Sequence, residues 1–542
     1  MNGAGGNSTR LLFDDDDDFD NGTPLCSVMF SGTTLVLVLV LFKVIYERWV
    51  TPLSEVPGAF LHSITSIPMR YHMLRGQLPE FIQKLHEEYG PIVRISPQRV
   101  SICDIANVKQ ILGSHAFVKA PSYDIPEMLE PNTFSTRSPE LSIERRKQLG
   151  PSFSHKHLSS MENKILKCGV VNVQQKIDAL LSSCSHDTEG KVVIQYHKWF
   201  MLIALDTIGA LGFGQDFCAL HKEHHELVPI LTRIRVFNYI TMALPWLKRL
   251  PRLLGKRLKP LAALMSFSAA AIDQRRKDSG GEPKADLLQM MLDSGRNGDH
   301  REPLNDPQMV SETILHLIAG VDTTSAAMTW TLSLLLHNPH ILHRLTSHIR
   351  QEFPTKTITL EDCRQRLPYL SAVINESLRI LSPAPSILPR IAPTGGVRLG
   401  SYLLPAGTWI CSSVHSVHMN PAAFSSPTTF NPDRFMHQNE ERHNLIAFAT
   451  GVRACLGRNL ALVEMHVVLA NLLRNYNLCL PDDQSTQLSR SSISKMDSST
   501  TVEFDDKLRD AGLVPDIPRK TWMTMNPVKP DRDCLVLVSR AK

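Results

Sequence analysis

Apolar residues recur at helical spacing along most of this chain and alternate at strand spacing over only a few short stretches. Leu78, Phe81, Ile82, Leu85 and Tyr89 fall on one face of a predicted amphipathic helix. Ile92–Ile95 and Arg99–Cys103 read as short strands broken at Pro97. From Met161 to about Leu378 helical patterns dominate, with Pro and Gly mostly between them. Among them is a long apolar helix from about Pro307 to Leu336. Strand patterns return at Val397–Leu399, Trp409–Val414 and Cys534–Val538, and an apolar helix runs through Leu460, Ala461, Val463, Met465 and Val467. The predicted fold is mainly α with a small β-region, and there are no internal repeats.

The N-terminus follows a different pattern. Leu25 to Tyr46 is apolar apart from small Ser, Gly and Thr residues and Lys43, with a dense centre at Leu35–Phe42. At about 1.5 Å per residue such a helix crosses the roughly 30 Å hydrocarbon layer. Asp14–Asp18 and Asp20 precede it, and Lys43 and Arg48 follow. The basic C-terminal flank places the bulk of the chain in the cytosol. The expected layout is a luminal tail (1–24), one transmembrane anchor (25–46), a Pro/Gly hinge (47–60) and one large domain (61–542). A cleaved signal peptide is the alternative, but the apolar run starts late and lacks a basic leader. Asn7-Ser-Thr9 and Asn21-Gly-Thr23 are glycosylation sequons on the luminal side. Leu244–Leu264 mixes Leu, Trp and Pro with Lys and Arg, as expected of either a membrane-interface helix pair or a solvated basic face. Gln484–Ser499 is Ser/Thr/Asp-rich and reads as a surface loop.

Composition narrows the class. With 542 residues and 43% hydrophobic side chains, the chain can bury a large core. Lys plus Arg exceed Asp plus Glu by 58 − 53 = 5, too mild an excess to imply a nucleic-acid partner. The ten cysteines are scattered without a C-x-x-C pair, which reads as reduced thiols facing the cytosol. No G-x-S-x-G, Walker-type or dinucleotide-binding fingerprint occurs, and His415 and His418 lack a further ligand at metal spacing.

Chemistry concentrates in two places. Phe448-Ala-Thr-Gly451-Val-Arg453-Ala-Cys455-Leu-Gly457 puts one cysteine in a Gly-punctuated loop just before the last apolar helix. A helix N-terminus there is expected to lower the thiol pKa. Gly451 and Gly457 permit tight turns and close approach of a flat cofactor, Arg453 offers a fork of donors for a carboxylate, and Phe448 can shield the sulfur. A lone cysteine is by default a small buried hydrophobe; the fixed spacing argues against that. The second place is Ala319-Gly320-Val321-Asp322-Thr323-Thr324, inside the long helix. Gly, Asp and Thr there cost on the order of 2 kcal/mol against Ala. Ala319 and Thr323 share a face, and the Thr323 hydroxyl can bond the i−4 carbonyl and bend the helix. Small Ala319 and Gly320 make room beside a flat cofactor, and Asp322 can relay protons. The alternative is a kink packed against a neighbouring helix.

The pattern F-x-x-G-x-R-x-C-x-G resembles the ligand loop of the cytochrome P450 family, the haem-thiolate monooxygenases. The resemblance covers roughly residues 50 to 475. It implies the P450 fold behind an N-terminal anchor, haem b as cofactor and Cys455 as axial iron ligand. Asp322 and Thr323 match the family's oxygen-activating motif. Arg453, Arg390 and Arg146 match arginines that reach haem propionates, although the aromatic or His position four residues before Arg146 is Ser142. Glu376-Ser-Leu-Arg379 and Arg434 match a structural interlock behind the haem, and Phe213 is expected in the core. Pocket walls are expected from Tyr123–Thr136, Leu315, Ala319 and Ser386–Leu388, which are apolar or small and imply a lipophilic substrate. Electrons are expected from an NADPH-dependent P450 reductase, with cytochrome b5 as an optional second donor. The resemblance implies a monooxygenase of the endoplasmic reticulum membrane, most similar to fungal members acting on polyketides, terpenoids or alkaloids. A haem-thiolate isomerase or dehydratase and a non-catalytic membrane haem protein are the rivals. Both sit poorly with an intact Asp322-Thr323 pair.

Overall fold

The computed structural model describes residues 23–124, 129–183, 190–249, 259–278, 286–294, 302–436, 440–481 and 512–541. Asn7, Asn21, the acidic run, the loop 484–499 and the centre of the basic stretch after Leu244 lie outside the described residues. The first helix spans Thr23–Ile45, 23 residues or about 34 Å. Its side chains are described only from Thr34 onward, and Leu35 to Phe42 are exposed. Among the described residues no helix is long and apolar enough to cross a membrane.

Helices form most of the molecule, and the sequence marks their ends. The central helix, Asp306–Leu336, starts at a reciprocal cap in which the Asn305 and Gln308 side chains bond each other's backbone N–H. Leu78–Tyr89 forms as expected and stops at Gly90, whose φ of 93° a side chain would strain. Tyr196–Ile208 packs along the central helix, and Arg458–Asn475, the helix after the cysteine loop, packs against it as well. Phe213 is buried in this main core together with Trp330, Leu334 and Val467.

The β-region is small, as the pattern implies. β1 (Ile92–Ser96), β2 (Arg99–Ile102), β4 (Ile387–Ile391) and β7 (Trp409–Ser413) form one sheet in the order β1-β2-β7-β4, with β2 and β7 parallel. β5 (Val397–Leu399) and β6 (Tyr402–Leu404) make a hairpin. β3 (Val192–Gln195), β11 (Leu535–Arg540) and β8 (Tyr476–Cys479) form a second sheet. β9 (Arg519–Trp522) pairs with β10 (Thr524–Pro527).

Two buried ionic clusters hold this frame. Arg379 Nε and Nη2 meet Glu376 at 2.7 and 2.8 Å, and Arg434 Nε meets the same carboxylate at 3.1 Å. Arg379 also donates to the carbonyls of His418, Pro427 and Thr429, so its donors are spent on the segment leading to the cysteine loop. Arg94, on β1, holds the chain that leaves the first helix: Nη1 donates to Glu47 O at 2.6 Å and Nη2 to Glu47 Oε2 at 2.8 Å.

Candidate functional site

The cysteine loop is built by two left-handed residues, Ala449 (φ 55°) and Gly451 (φ 71°), and by a bond from Cys455 N to Phe448 O at 2.9 Å. Packing alone requires glycine at position 451. A Cβ at that position would lie 2.1 Å from Leu112 O. Gly457 has an ordinary φ of −79°, begins the helix Arg458–Asn475, and faces open space. Cys455 is solvent-accessible although protein atoms crowd around its thiol, as in a recess. Burial raises its pKa. The backbone N–H groups of Gly457 and Arg458 and the charges of Arg146 and Arg458 pull the other way and do not win. The expected depression of the thiol pKa is therefore absent: a few partial charges do not offset desolvation of the thiolate. Phe448 is half-buried, with the Arg458 guanidinium 5.8 Å from its ring centre.

The central helix lines the same interior. It is buried over Ser311–Ile314 and again over Thr324–Leu336, but Leu315, His316, Ala319, Gly320 and Thr323 are accessible between them. Ala319 and Thr323 share a face, and Thr323 Oγ1 donates to Ala319 O at 2.6 Å, the back-bond expected. Gly320 has a packing role as well. A Cβ there would meet Ile208 Cδ1 at 3.1 Å, so glycine lets the helix Tyr196–Ile208 approach closely. Asp322 is buried, with its Oδ1 3.3 Å from Arg235 Nη1. Burial raises the Asp322 pKa, and Arg235 partly offsets this.

Arginines expected at a cofactor's acidic groups do converge. Arg390 comes from β4, Arg453 from the loop, and Arg146 from the helix Pro139–Leu149, with Nη1 on Ala454 O at 2.7 Å. Arg453 donates to Thr136 O at 2.8 Å and Ser138 O at 3.2 Å. Burial and the neighbouring charges of Arg390 and Arg146 push its pKa down to about 10. A fourth cation went unnoticed in the sequence. Lys119 is 5% exposed, bonds Phe134 O, and lies over the rings of Tyr123 and Phe134 at 4.8 and 5.1 Å. Burial and the charges of Arg390, Arg453 and Arg146 hold its pKa well below the usual lysine range. None of the four pairs with a carboxylate among the described residues. Buried like charges are costly unless an anion joins them. Only the backbone bridge between Lys119 and Arg390 brings these two together, and a single sequence gives no sign of it. Ser142 is fully buried and its hydroxyl has no partner, so it supplies no contact in place of an aromatic or His side chain.

Two other titratable groups of the central helix were missed. His316 packs edge-on against Phe153 at 5.5 Å, and burial lowers its pKa to about 4, leaving a neutral imidazole beside the recess. Glu312 accepts from Thr133 N at 2.8 Å and Thr133 Oγ1 at 3.0 Å, and burial lifts its pKa to about 7. Their only sequence signal was spacing: residues 312, 316, 319 and 323 fall on one helical face. His418, by contrast, is spent on structure, its Nε2 accepting from Ile446 N at 3.1 Å.

The donor set fits a haem. It offers one accessible soft sulfur at the floor, a small-residue helix face beside it, and an uncompensated cationic rim suited to carboxylates. Comparison with known proteins agrees. Residues 57–504 match the family model described as Cytochrome P450. The chain is 32% identical over 525 residues to cytochrome P450 monooxygenase helB3 of Aspergillus fumigatus, covering 95% of this chain and 98% of that one. It is 31% identical over 508 residues to helB1 of the same fungus, covering 92% and 84%. To acrD of Aspergillus aculeatus it is 28% identical over 474 residues, covering 84% and 92%. Likeness of that extent, on a chain with this recess, makes the protein a member of the cytochrome P450 family and a monooxygenase.

Proposed function

We propose that the recess would hold haem b, with Cys455 bonding the iron and Lys119, Arg146, Arg390 and Arg453 meeting its propionates. The observation that carries this reading is the accessible Cys455 beneath four cations, Lys119 and Arg390 buried and Arg146 and Arg453 half-buried, with no carboxylate partner among the described residues. When bound, haem supplies dioxygen activation, with thiolate donation favouring O–O cleavage. The chain's own residues do the rest. Phe448 and the loop backbone keep water from the sulfur. Thr323, bonded to Ala319 O, opens the central helix to water, and Asp322, oriented by its ion pair with Arg235, passes protons between water and that opening. The overall reaction is substrate-H + O₂ + 2 electrons + 2 protons giving substrate-OH + water.

The substrate is a lipophilic small molecule. Leu315, Ala319 and Ile387–Leu388 offer apolar surface, and neutral His316 offers one hydrogen-bonding group. Its relatives' fungal origin supports a place in secondary metabolism, on a polyketide, terpenoid or alkaloid. Electrons come from a membrane-bound NADPH-dependent P450 reductase, with cytochrome b5 as an optional donor. The helix Thr23–Ile45 anchors the chain in the endoplasmic reticulum membrane, with the N-terminus luminal and residues 61–542 cytosolic. The test is to co-express the protein with its genomic neighbours, identify the metabolite it consumes, and reconstitute turnover with purified reductase. NADPH oxidation coupled to an oxygenated product is expected. A product formed at full rate without reductase would refute the monooxygenase cycle for this substrate.

A further inference from the structure

The segment Glu130–Ser138 runs between two parts of the site and is pinned at both ends. At its start it is tied to consecutive residues of the central helix. Ser311 Oγ donates to Glu130 O at 2.6 Å, and Asn132 Nδ2 donates to Ser311 Oγ at 3.2 Å. Glu312 Oε1 accepts from both the N–H and the hydroxyl of Thr133. Inside the segment, Asn132 Oδ1 accepts from Phe134 N at 3.2 Å and Ser135 N at 2.9 Å, making a stiff turn. At its far end its carbonyls receive the cations: Phe134 O takes Lys119, and Thr136 O and Ser138 O take Arg453.

Glu312 is an expensive residue for this position. It is 0% exposed, Oε2 has no partner, and the nearest cation, Arg145 Nε, stands at 3.8 Å without a hydrogen bond. A buried carboxylate so poorly paired costs stability, and an apolar side chain would suit the helix as well. What Glu312 gains in return is Thr133, and Thr133 fixes the segment.

We propose that Glu312 is a positioning residue that sets the segment Glu130–Ser138 and, through its carbonyls, the aim of Lys119 and Arg453 at the recess rim. It touches neither cation, and its influence on haem retention passes through the chain between Thr133 and Ser138. The inference rests on the reading above that these cations hold the haem's acidic groups.

The test uses full-length holoprotein with Glu312→Ala, Glu312→Gln, Thr133→Val and Lys119→Met. Two quantities are measured: haem transfer to excess apomyoglobin, and backbone hydrogen exchange over residues 130–138. Glu312→Ala is expected to lose protection there and release haem at least fivefold faster. Glu312→Gln, whose amide oxygen still accepts from Thr133, should remain near wild type. Thr133→Val, keeping only the N–H bond, should fall between, and it decides the matter if Glu312→Ala does not fold. Unchanged protection in Glu312→Ala overturns the positioning role. So does a Glu312→Gln variant as impaired as the alanine, because the charge facing Arg145 would then be what matters. Lost protection with unchanged haem transfer overturns the link to the rim if Lys119→Met does release haem faster. Unchanged transfer in Lys119→Met overturns instead the assignment of the cations to haem.

Discussion

Acidity of the Cys455 thiol is set by burial against two backbone N–H groups and two arginines, and burial wins. A metal bound at the sulfur would favour its deprotonated form. Asp322 shows the same balance, since it is buried beside a single arginine. Asp322→Asn is expected to lower product formation about 100-fold while leaving the ferrous carbonyl spectrum intact; a variant of unchanged turnover would remove Asp322 from proton delivery. Glu464 offers a stability test. Burial lifts its pKa from 4.5 to about 8, with Thr207 opposing. The folded state therefore holds the proton that the unfolded chain gives up, and stability falls as pH rises from 4.5 to 8. Glu464→Gln should be more stable than wild type at pH 9, by up to roughly 5 kcal/mol, with the difference vanishing near pH 4. Melting curves showing the same difference at both pH values would contradict this. At this scale the sequence was legible where a motif names the residue, as for Cys455, Thr323 and Arg453. It was silent for Lys119, Glu312 and His316, whose roles depend on which loop lies opposite.

The central helix was legible as an element, because its apolar run, Asn305 cap and mid-helix Gly, Asp and Thr are local facts. Less legible was the division of labour along it: Gly320 turned out to serve Ile208, and Gly451 serves the Leu112 carbonyl. Glycine announces close approach without saying what approaches. The five strands read from the sequence (β1, β2, β5, β7 and β11) form for the same local reasons, whereas β3, β4, β6, β8, β9 and β10 went unread, and the parallel pairing of β2 with β7 joins segments about three hundred residues apart with no local signal. The Glu376 cluster binds the helix Pro368–Ile380 to the approach of the cysteine loop. Glu376→Ala leaves two buried guanidinium groups without their carboxylate and should cost about 3–5 kcal/mol. Chemical denaturation of the holoprotein checks this, and a loss below 1 kcal/mol would show that the carbonyl partners alone suffice.

Across the whole molecule, apolar surface is concentrated near the first helix. Trp49, Phe60, Leu61, Ile67 and Tyr71 are exposed there, and Trp246 follows a helix that packs on Ile67–Leu74. The Arg94–Glu47 bond ties the helix exit to this side of the domain. A chain beginning at Glu47 should therefore still sediment with phospholipid vesicles, and Trp49→Ser with Ile67→Ser should weaken that binding severalfold. Recovery of the truncated chain wholly in the supernatant would show that this face does not meet lipid. The central claim of the functional reading is that Cys455 bonds the haem iron, and the most direct measurement is the carbon monoxide difference spectrum of the reduced protein. Wild type is predicted to show the red-shifted band of a thiolate-ligated haem, and Cys455→Ser to lose it. A Cys455→Ser protein that keeps the band would contradict the account.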